Sequence, residues 1–383
     1  MKRIEWKIVA SAISASILLS ACGGGGEGDG GTTTTAGRFI DSPVEGLTYV
    51  SGAQSGTTGG KGQFTCEDGG TVTFFLGPIV LGTVACQDLV MPTDLTSSEN
   101  EAINFARFLQ TLDDDGDPDN GINIPEVVRQ FAENSSAWPK TLNFADTDFE
   151  NNQDIINIIS DLSSITGGPV TLVTAAVAEL HLVRSLRCHY SGAFMGNYSG
   201  DESGRGGFLI DASSGNLIGG YSSTSDLTSE GVLTGHQFGD VALGLDYGVT
   251  GITDTSVTFS GRFSSRETIS GTWGVPGFSG SWSGNRIGYS ATAVERYTGF
   301  SPDVSAIFTF DIDASGNITG RAFSFEDGSL NNVIGTKNVA NNTISGTLDD
   351  GTTFEGTLSG WQVTGTATQG VDTAAFFGSG CAL

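Results

Sequence analysis

Gly207-Phe208-Leu209-Ile210-Asp211-Ala212-Ser213-Ser214-Gly215-Asn216-Leu217-Ile218-Gly219 has a second version further along the chain, Phe308-Thr309-Phe310-Asp311-Ile312-Asp313-Ala314-Ser315-Gly316-Asn317-Ile318-Thr319-Gly320. Each reads as a strand, a tight turn and a returning strand, with glycine supplying the positive φ that such turns need. A further pair, Thr268-Ile269-Ser270-Gly271-Thr272 and Thr343-Ile344-Ser345-Gly346-Thr347, is followed each time by a strand of similar type, Phe278–Gly284 and Phe354–Gly360. From Tyr190 onward the chain is short runs of Gly, Ser, Thr and aromatics, with turn signals at roughly 8–12-residue spacing, as in antiparallel sandwiches and barrels. Two halves of about 95 residues, with four or five strands in each, predict one closed antiparallel β-barrel of roughly 8–10 strands over 188–383. Two separate small β domains are the alternative. These Ser/Thr/Gly strands lack the outward apolar band of a membrane-embedded barrel.

Before this region the period changes. Residues 91–187 carry apolar residues three and four apart, as in Ala102, Phe105, Ala106, Leu109 and Leu112, and predict an α-helical segment. Helices are expected over Glu99–Leu112, from Pro125, over Phe149–Leu162 and over Leu172–Arg187. Residues 38–90 alternate and predict a small, sandwich-like β module. Residues 22–37 are mostly Gly, Thr and acidic, and predict a disordered tether.

Between the first two helices lies Asp113-Asp114-Asp115-Gly116-Asp117-Pro118-Asp119-Asn120-Gly121-Ile122-Asn123-Ile124-Pro125-Glu126. Calcium requires six to eight oxygen ligands from such a loop. With Asp115 at position one, Asp117, Asp119, Gly121 and Glu126 fall at three, five, seven and twelve, and Asp113 adds a further carboxylate. The loop resembles an EF-hand, with Asn120 where glycine is usual at six. A structural calcium ion is the expected cofactor, and no catalytic one is expected.

Residues 1–21 have a basic head, Lys2, Arg3 and Lys7, and an apolar run from Ile8 to Leu19. That run is too short to span a bilayer, which takes about 20 residues, and it predicts a signal peptide. Leu19-Ser20-Ala21-Cys22 resembles a bacterial lipobox. The resemblance implies cleavage before Cys22, a diacylglycerol on its sulfur, palmitate among its acyl chains and anchorage in outer-membrane lipid, since Gly23 rather than aspartate follows. Cys66, Cys86, Cys188 and Cys381 remain. Of their three possible pairings, position favours 66–86 inside the β module and 188–381 bracketing the C-terminal region. No two of the four are spaced like zinc ligands.

The net charge of −26 disfavours nucleic acid and anionic lipid head groups as partners. No Gly-x-Ser-x-Gly elbow, phosphate loop or His-Glu-x-x-His is present, and the histidines at 181, 189 and 236 lie in unrelated contexts. A non-enzymatic chain is expected. Asp41-Ser42-Pro43-Val44-Glu45-Gly46-Leu47-Thr48-Tyr49 and Ala178-Glu179-Leu180-His181-Leu182 are similar to the two ends of a module found at the start of bacterial surface lipoproteins. Phe354–Gly360 and Ala375-Phe376-Phe377-Gly378 are similar to transferrin-binding-protein-B type barrels. These resemblances imply a surface lipoprotein with a binding or adhesion role toward an unidentified protein or glycan. A periplasm-facing assembly factor is the second expectation, and a hydrolase with a carboxylate site the third. Cys22→Ala is expected to abolish incorporation of labelled palmitate and to leave a precursor retaining residues 1–21, read by intact mass.

Overall fold

A computed structural model of the chain describes residues 33–223, 230–238, 248–290, 292–325 and 328–383. The signal segment, Cys22 and the tether to residue 32 lie outside the described residues. The first strand, Thr34–Phe39, begins inside the segment expected to be tether. It pairs antiparallel with Gln63–Glu67 and parallel with Leu89–Val90. Composition misleads here because small residues are what this strand needs. A Cβ on Gly37 would meet the Phe64 ring and lie 2.7 Å from the Gln87 carbonyl.

A second sheet orders Gln54–Thr57, Thr48–Ser51, Thr71–Leu76 and Ile79–Ala85. The Cys66–Cys86 disulfide joins the two sheets across a Cα separation of 5.6 Å. The helices are α1 (Glu99–Thr111), α2 (Glu126–Asn134), α3 (Gln153–Thr166) and α4 (Ala175–His189). Ser98 and Thr174 cap α1 and α4 by accepting N–H bonds from Glu101 and Val177.

The expected boundary between 90 and 91 does not separate two cores. Phe39 packs edge-on to Phe74 at 4.8 Å and stacks on Phe105 of α1 at 6.3 Å, while Phe144 sits against Phe105, Phe108 and Phe149. Strands and helices share one cluster because neither set buries its apolar face alone. On the other side of α1, Ala102 and Ala106 meet Ala178, Leu182 and Leu186 of α4, with Ile40 between them.

From the end of α4 the chain enters not one barrel but two, each of eight antiparallel strands in simple meander order. The first runs from Gly192–Gly200 to Phe278–Ile287, and these two strands close it with Tyr198 opposite Trp282. The second runs from Ala293–Ser301 to Asp372–Ala382, closing with Tyr297 opposite Gly380. The antiparallel barrel expectation holds, with each half of the region closing on itself. The repeats explain the difference in number. Gly207–Gly219 and Phe308–Gly320 span strands two and three of their own barrels. Thr268–Thr272, however, lies in the seventh strand of the first barrel, and Thr343–Thr347 in the fifth of the second. That motif marks a type of hairpin rather than a fixed place in a half. Gly215 and Gly316 take φ of 70° and 84° in the two matching turns.

In both barrels an aromatic residue faces a glycine directly across a strand pair. Phe259 opposes Gly251, Trp282 opposes Gly271, Phe354 opposes Gly346 and Phe376 opposes Gly365. The three Phe rings lie over the glycines they face, and the Trp282 ring lies over Gly261 one strand further on, covering bare backbone. Tyr297, Phe310, Ile318, Val333, Phe354 and Phe376 belong to one buried cluster in the second barrel. The Cys188–Cys381 disulfide (Cα separation 5.8 Å) ties the end of α4 to the last strand of that barrel.

A Cβ on Gly346 would lie 2.6 Å from the Phe354 ring and closer still to the Ile334 carbonyl, whereas one on Gly168 meets nothing within 4 Å. Gly346→Ala is therefore expected to destabilise by about 1–3 kcal/mol. Gly168→Ala should leave the urea midpoint unchanged, and measuring both midpoints checks the contrast.

Candidate functional site: an aromatic cup in the first barrel

Two residues per strand turn decide what a small barrel encloses. In the first barrel Phe194, Phe208, Ile210, Leu217, Val249, Phe259 and Ile269 pack one end shut. Toward the other end the interior opens into a cavity of about 280 Å³ whose walls include Tyr198, Tyr221, Leu233, Phe259, Trp273 and Trp282. Its floor has room because Gly196 lies opposite Gly206 on one neighbouring strand and Gly284 on the other. At the comparable crossing of the second barrel Gly299 faces Gly378 and Phe308, and the Phe308 ring packs against Phe310 and Phe376. Gly206 of the first barrel and Phe308 of the second stand at matching places, opposite Gly196 and Gly299.

The rings of the cup are fixed at steep angles to one another. Tyr198 and Trp273 stand 6.0 Å apart at 85°, Tyr198 and Tyr221 6.3 Å apart at 77°, and Phe208 and Trp282 5.8 Å apart at 85°. The polar edges of Tyr221, Trp273 and Trp282 are engaged. Trp273 Nε1 donates to the Ser199 carbonyl at 3.2 Å, and Trp282 Nε1 to the Ser260 and Thr272 carbonyls at 3.2 Å. Tyr221 Oη shares a hydrogen bond with Thr255 Oγ1 at 2.9 Å. With the edges held, the faces remain for a ligand. Asn197, Glu202, Thr253 and Thr255 give the lining polar groups, and among the described residues no Lys or Arg lines it.

The acidic loop lies between α1 and α2. Asp113, Asp114 and Asp115 bring carboxylate oxygens within 4.8 Å of one another. The other expected ligands point to protein partners. Asp117 accepts from the Asp119 amide at 3.3 Å, and Glu126 accepts from Gln130 at 2.7 Å. Gly121 closes a one-turn 3-10 helix through its N–H. Asp119 reaches α4, 3.2 Å from His181 Nδ1.

That last contact brings together residues that sequence left apart. Ser42 Oγ lies 3.2 Å from His181 Nε2, so Ser42, His181 and Asp119 stand in the order of a nucleophile, base and carboxylate. The exposure is inverted for hydrolysis. Ser42 and His181 are buried, whereas the Asp119 side chain is 59% exposed. Nε2 also lies 3.0 Å from the Asp41 carbonyl. The hydroxyl offers no open face to a substrate, and the trio locks the acidic loop and the Asp41-Ser42 turn onto α4. Beneath it the Asp41 carboxyl, pushed up by complete burial, accepts from Gln110 Nε2 at 3.0 Å. His236 lies on the first barrel, and His189 at its junction with α4.

No family model and no curated protein matches this chain. Among solved structures it is similar to "The Structure of Intact Ap-TbpB (N and C lobes)", at 8% identity and a TM-score of 0.17, over 49% of this chain and 76% of that one. It is also similar to the isotype 1 transferrin binding protein B from serogroup B Neisseria meningitidis, at 8% identity and a TM-score of 0.18, over 47% of this chain and 61% of that one. At such TM-scores the likeness carries no argument, and the two barrels rest on their own strand registers.

Asp113 supplies a pH test. Its Oδ2 is buried with no hydrogen-bond partner among the described residues, and burial raises its pKa to about 6 from 3.8. The folded state then holds more protons than the unfolded one between these values, so stability falls as pH rises from about 4 to about 6. Asp113→Asn removes that loss. In the presence of chelator it should be more stable than the parent by about 1 kcal/mol at pH 7, a value discounted for partial exposure. The two should converge below pH 4, as followed by thermal melts across pH.

Proposed function

We propose that this chain is a lipid-anchored outer-membrane protein, facing the cell exterior, that binds a glycan rather than catalysing a reaction. The observation that carries the reading is the aromatic cup. Upright rings with satisfied edges present fixed apolar faces, and Asn197, Glu202, Thr253 and Thr255 offer hydroxyl-binding groups nearby. A sugar ring has this pairing of apolar faces and equatorial hydroxyls, and it stacks on Trp and Tyr at low entropic cost because the rings are already immobile. The mouth of a β-barrel is a common place for such a site.

The acyl chains on Cys22 hold the protein to outer-membrane lipid in this reading, and the acidic surface discourages nucleic acid. Among the described residues no helix is long and apolar enough to cross a membrane, so the reading places attachment on the lipid. The inverted exposure of Ser42, His181 and Asp119 supports a binding role over a hydrolytic one.

The test uses the soluble chain starting at Gly23 on a glycan array, with indole fluorescence as a second readout. Saturable binding that quenches the cup tryptophans is expected, with Trp273→Ala weakening it about tenfold, or ~1.4 kcal/mol. A ligand whose affinity is unchanged by both Trp273→Ala and Trp282→Ala sits elsewhere, and that result ends the assignment of the cup.

A further inference from the structure

At the other end of the first barrel, where it meets α4, the N-terminal sheet and the second barrel, four arginines converge on one small cavity. Arg38 comes from the first strand of the N-terminal unit, Arg266 and Arg286 from the first barrel, and Arg296 from the second. His189, the last residue of α4, completes the set. The cavity measures about 30 Å³. A water needs about 10–15 Å³ on this measure, so there is room for two waters or one small ion.

Three of the arginines are held by the protein. Arg296 donates from Nε and Nη2 to the two oxygens of fully buried Asp311 at 2.8 and 2.9 Å. Arg266 pairs with Asp88 at 2.6 Å. Arg286 donates to the His189 carbonyl at 2.7 Å, to the Arg266 carbonyl at 2.8 Å and to the Ser191 carbonyl, and it lies over the Phe194 ring. Its hydrogen-bond partners are neutral carbonyls, while its charge faces Asp311 and Glu267 without an ion pair.

Arg38 differs from all three. Its guanidinium makes no hydrogen bond and no ion pair among the described residues. Burial, and then Arg266, lower its pKa from 12.5 to about 10. His189 is 2% exposed, and its Nε2 has no hydrogen-bond partner among the described residues. Burial and the surrounding arginines hold the imidazole neutral. Asp88, Glu267 and Asp311 face the four guanidinium groups, and buried Asp94 acts on Arg266. Within the cavity the Arg38 guanidinium and the buried His189 Nε2 are left without a hydrogen-bond partner among the described residues. A buried polar nitrogen in that state is costly, and an anion shared with the guanidinium gives both a partner.

We propose that this cavity binds one small monovalent anion, chloride in size and charge, between the Arg38 guanidinium and the His189 imidazole, whose Nε2 takes the proton in the bound form. The site is built from every unit that meets there, so the anion joins the N-terminal unit to both barrels. It is independent of the aromatic cup and of any ligand bound in it.

The experiment compares melting of the mature chain in sodium chloride and in sodium gluconate at equal ionic strength, because gluconate screens surface charge equally and is too large for the cavity. Chloride should raise Tm by a few degrees along a saturating curve, as expected for an ion bound only to the folded state. Arg38→Gln should abolish that increment. Crystals soaked in bromide should show an anomalous peak within hydrogen-bonding distance of Arg38 and His189. Equal melting in the two salts, or an increment retained in Arg38→Gln, overturns the proposal. So does an absent bromide peak with the cavity filled by protein density continuous with Leu383, and so does stabilisation by phosphate but not chloride, since phosphate exceeds the measured space.

Discussion

An aromatic ring laid over a glycine on the next strand is the interaction on which the C-terminal half depends. It recurs from Phe259 on Gly251 to Phe376 on Gly365, in both barrels and on several strand pairs. Any side chain at those glycines would occupy the ring's place, so each pair fixes the register of its two strands. Glycine-rich strands are otherwise poorly specified and prone to slip. Here the rings supply the specification, and barrel closure removes the open edges that such strands would leave.

The same rule sets the difference between the barrels. Where three glycines fall side by side, at Gly206, Gly196 and Gly284, the floor is backbone and the surrounding rings form the walls of a cup. Where Phe308 stands in place of one of them, its ring packs against Phe310 and Phe376. The first barrel carries the aromatic-lined cavity. Between the barrels and the N-terminal unit runs α4, held midway by the Asp119–His181 contact and at its end by the arginine-lined junction.

Much of this architecture is legible in the sequence, and the illegible part has a common cause. Hairpins, helix caps and turn glycines are local, and Ser98, Thr174, Gly215 and Gly316 do what their neighbours imply. The disulfide partners follow from their positions along the chain. The number of barrels rests on the pairing of first and last strands, Tyr198 with Trp282 and Tyr297 with Gly380, which no local pattern encodes. Trp273 and Trp282 alternate as core residues do. Only the lateral alignment of glycines from three strands turns them into the walls of a cup. The acidic loop shows the same limit, for Asp119 is at a ligand's spacing in sequence yet finds His181 of a distant helix.

The Cys188–Cys381 bridge gives this arrangement an unusual tolerance to proteolysis. It encloses both barrels in one covalent loop that begins where α4 ends. A protease that cuts a single turn anywhere within that loop leaves two pieces still joined through sulfur. Neither barrel can be shed from the N-terminal unit by one cleavage, and the severed chain retains its neighbours for re-closure. Exposed turns on the barrels can then vary in length and composition without putting the connection at risk.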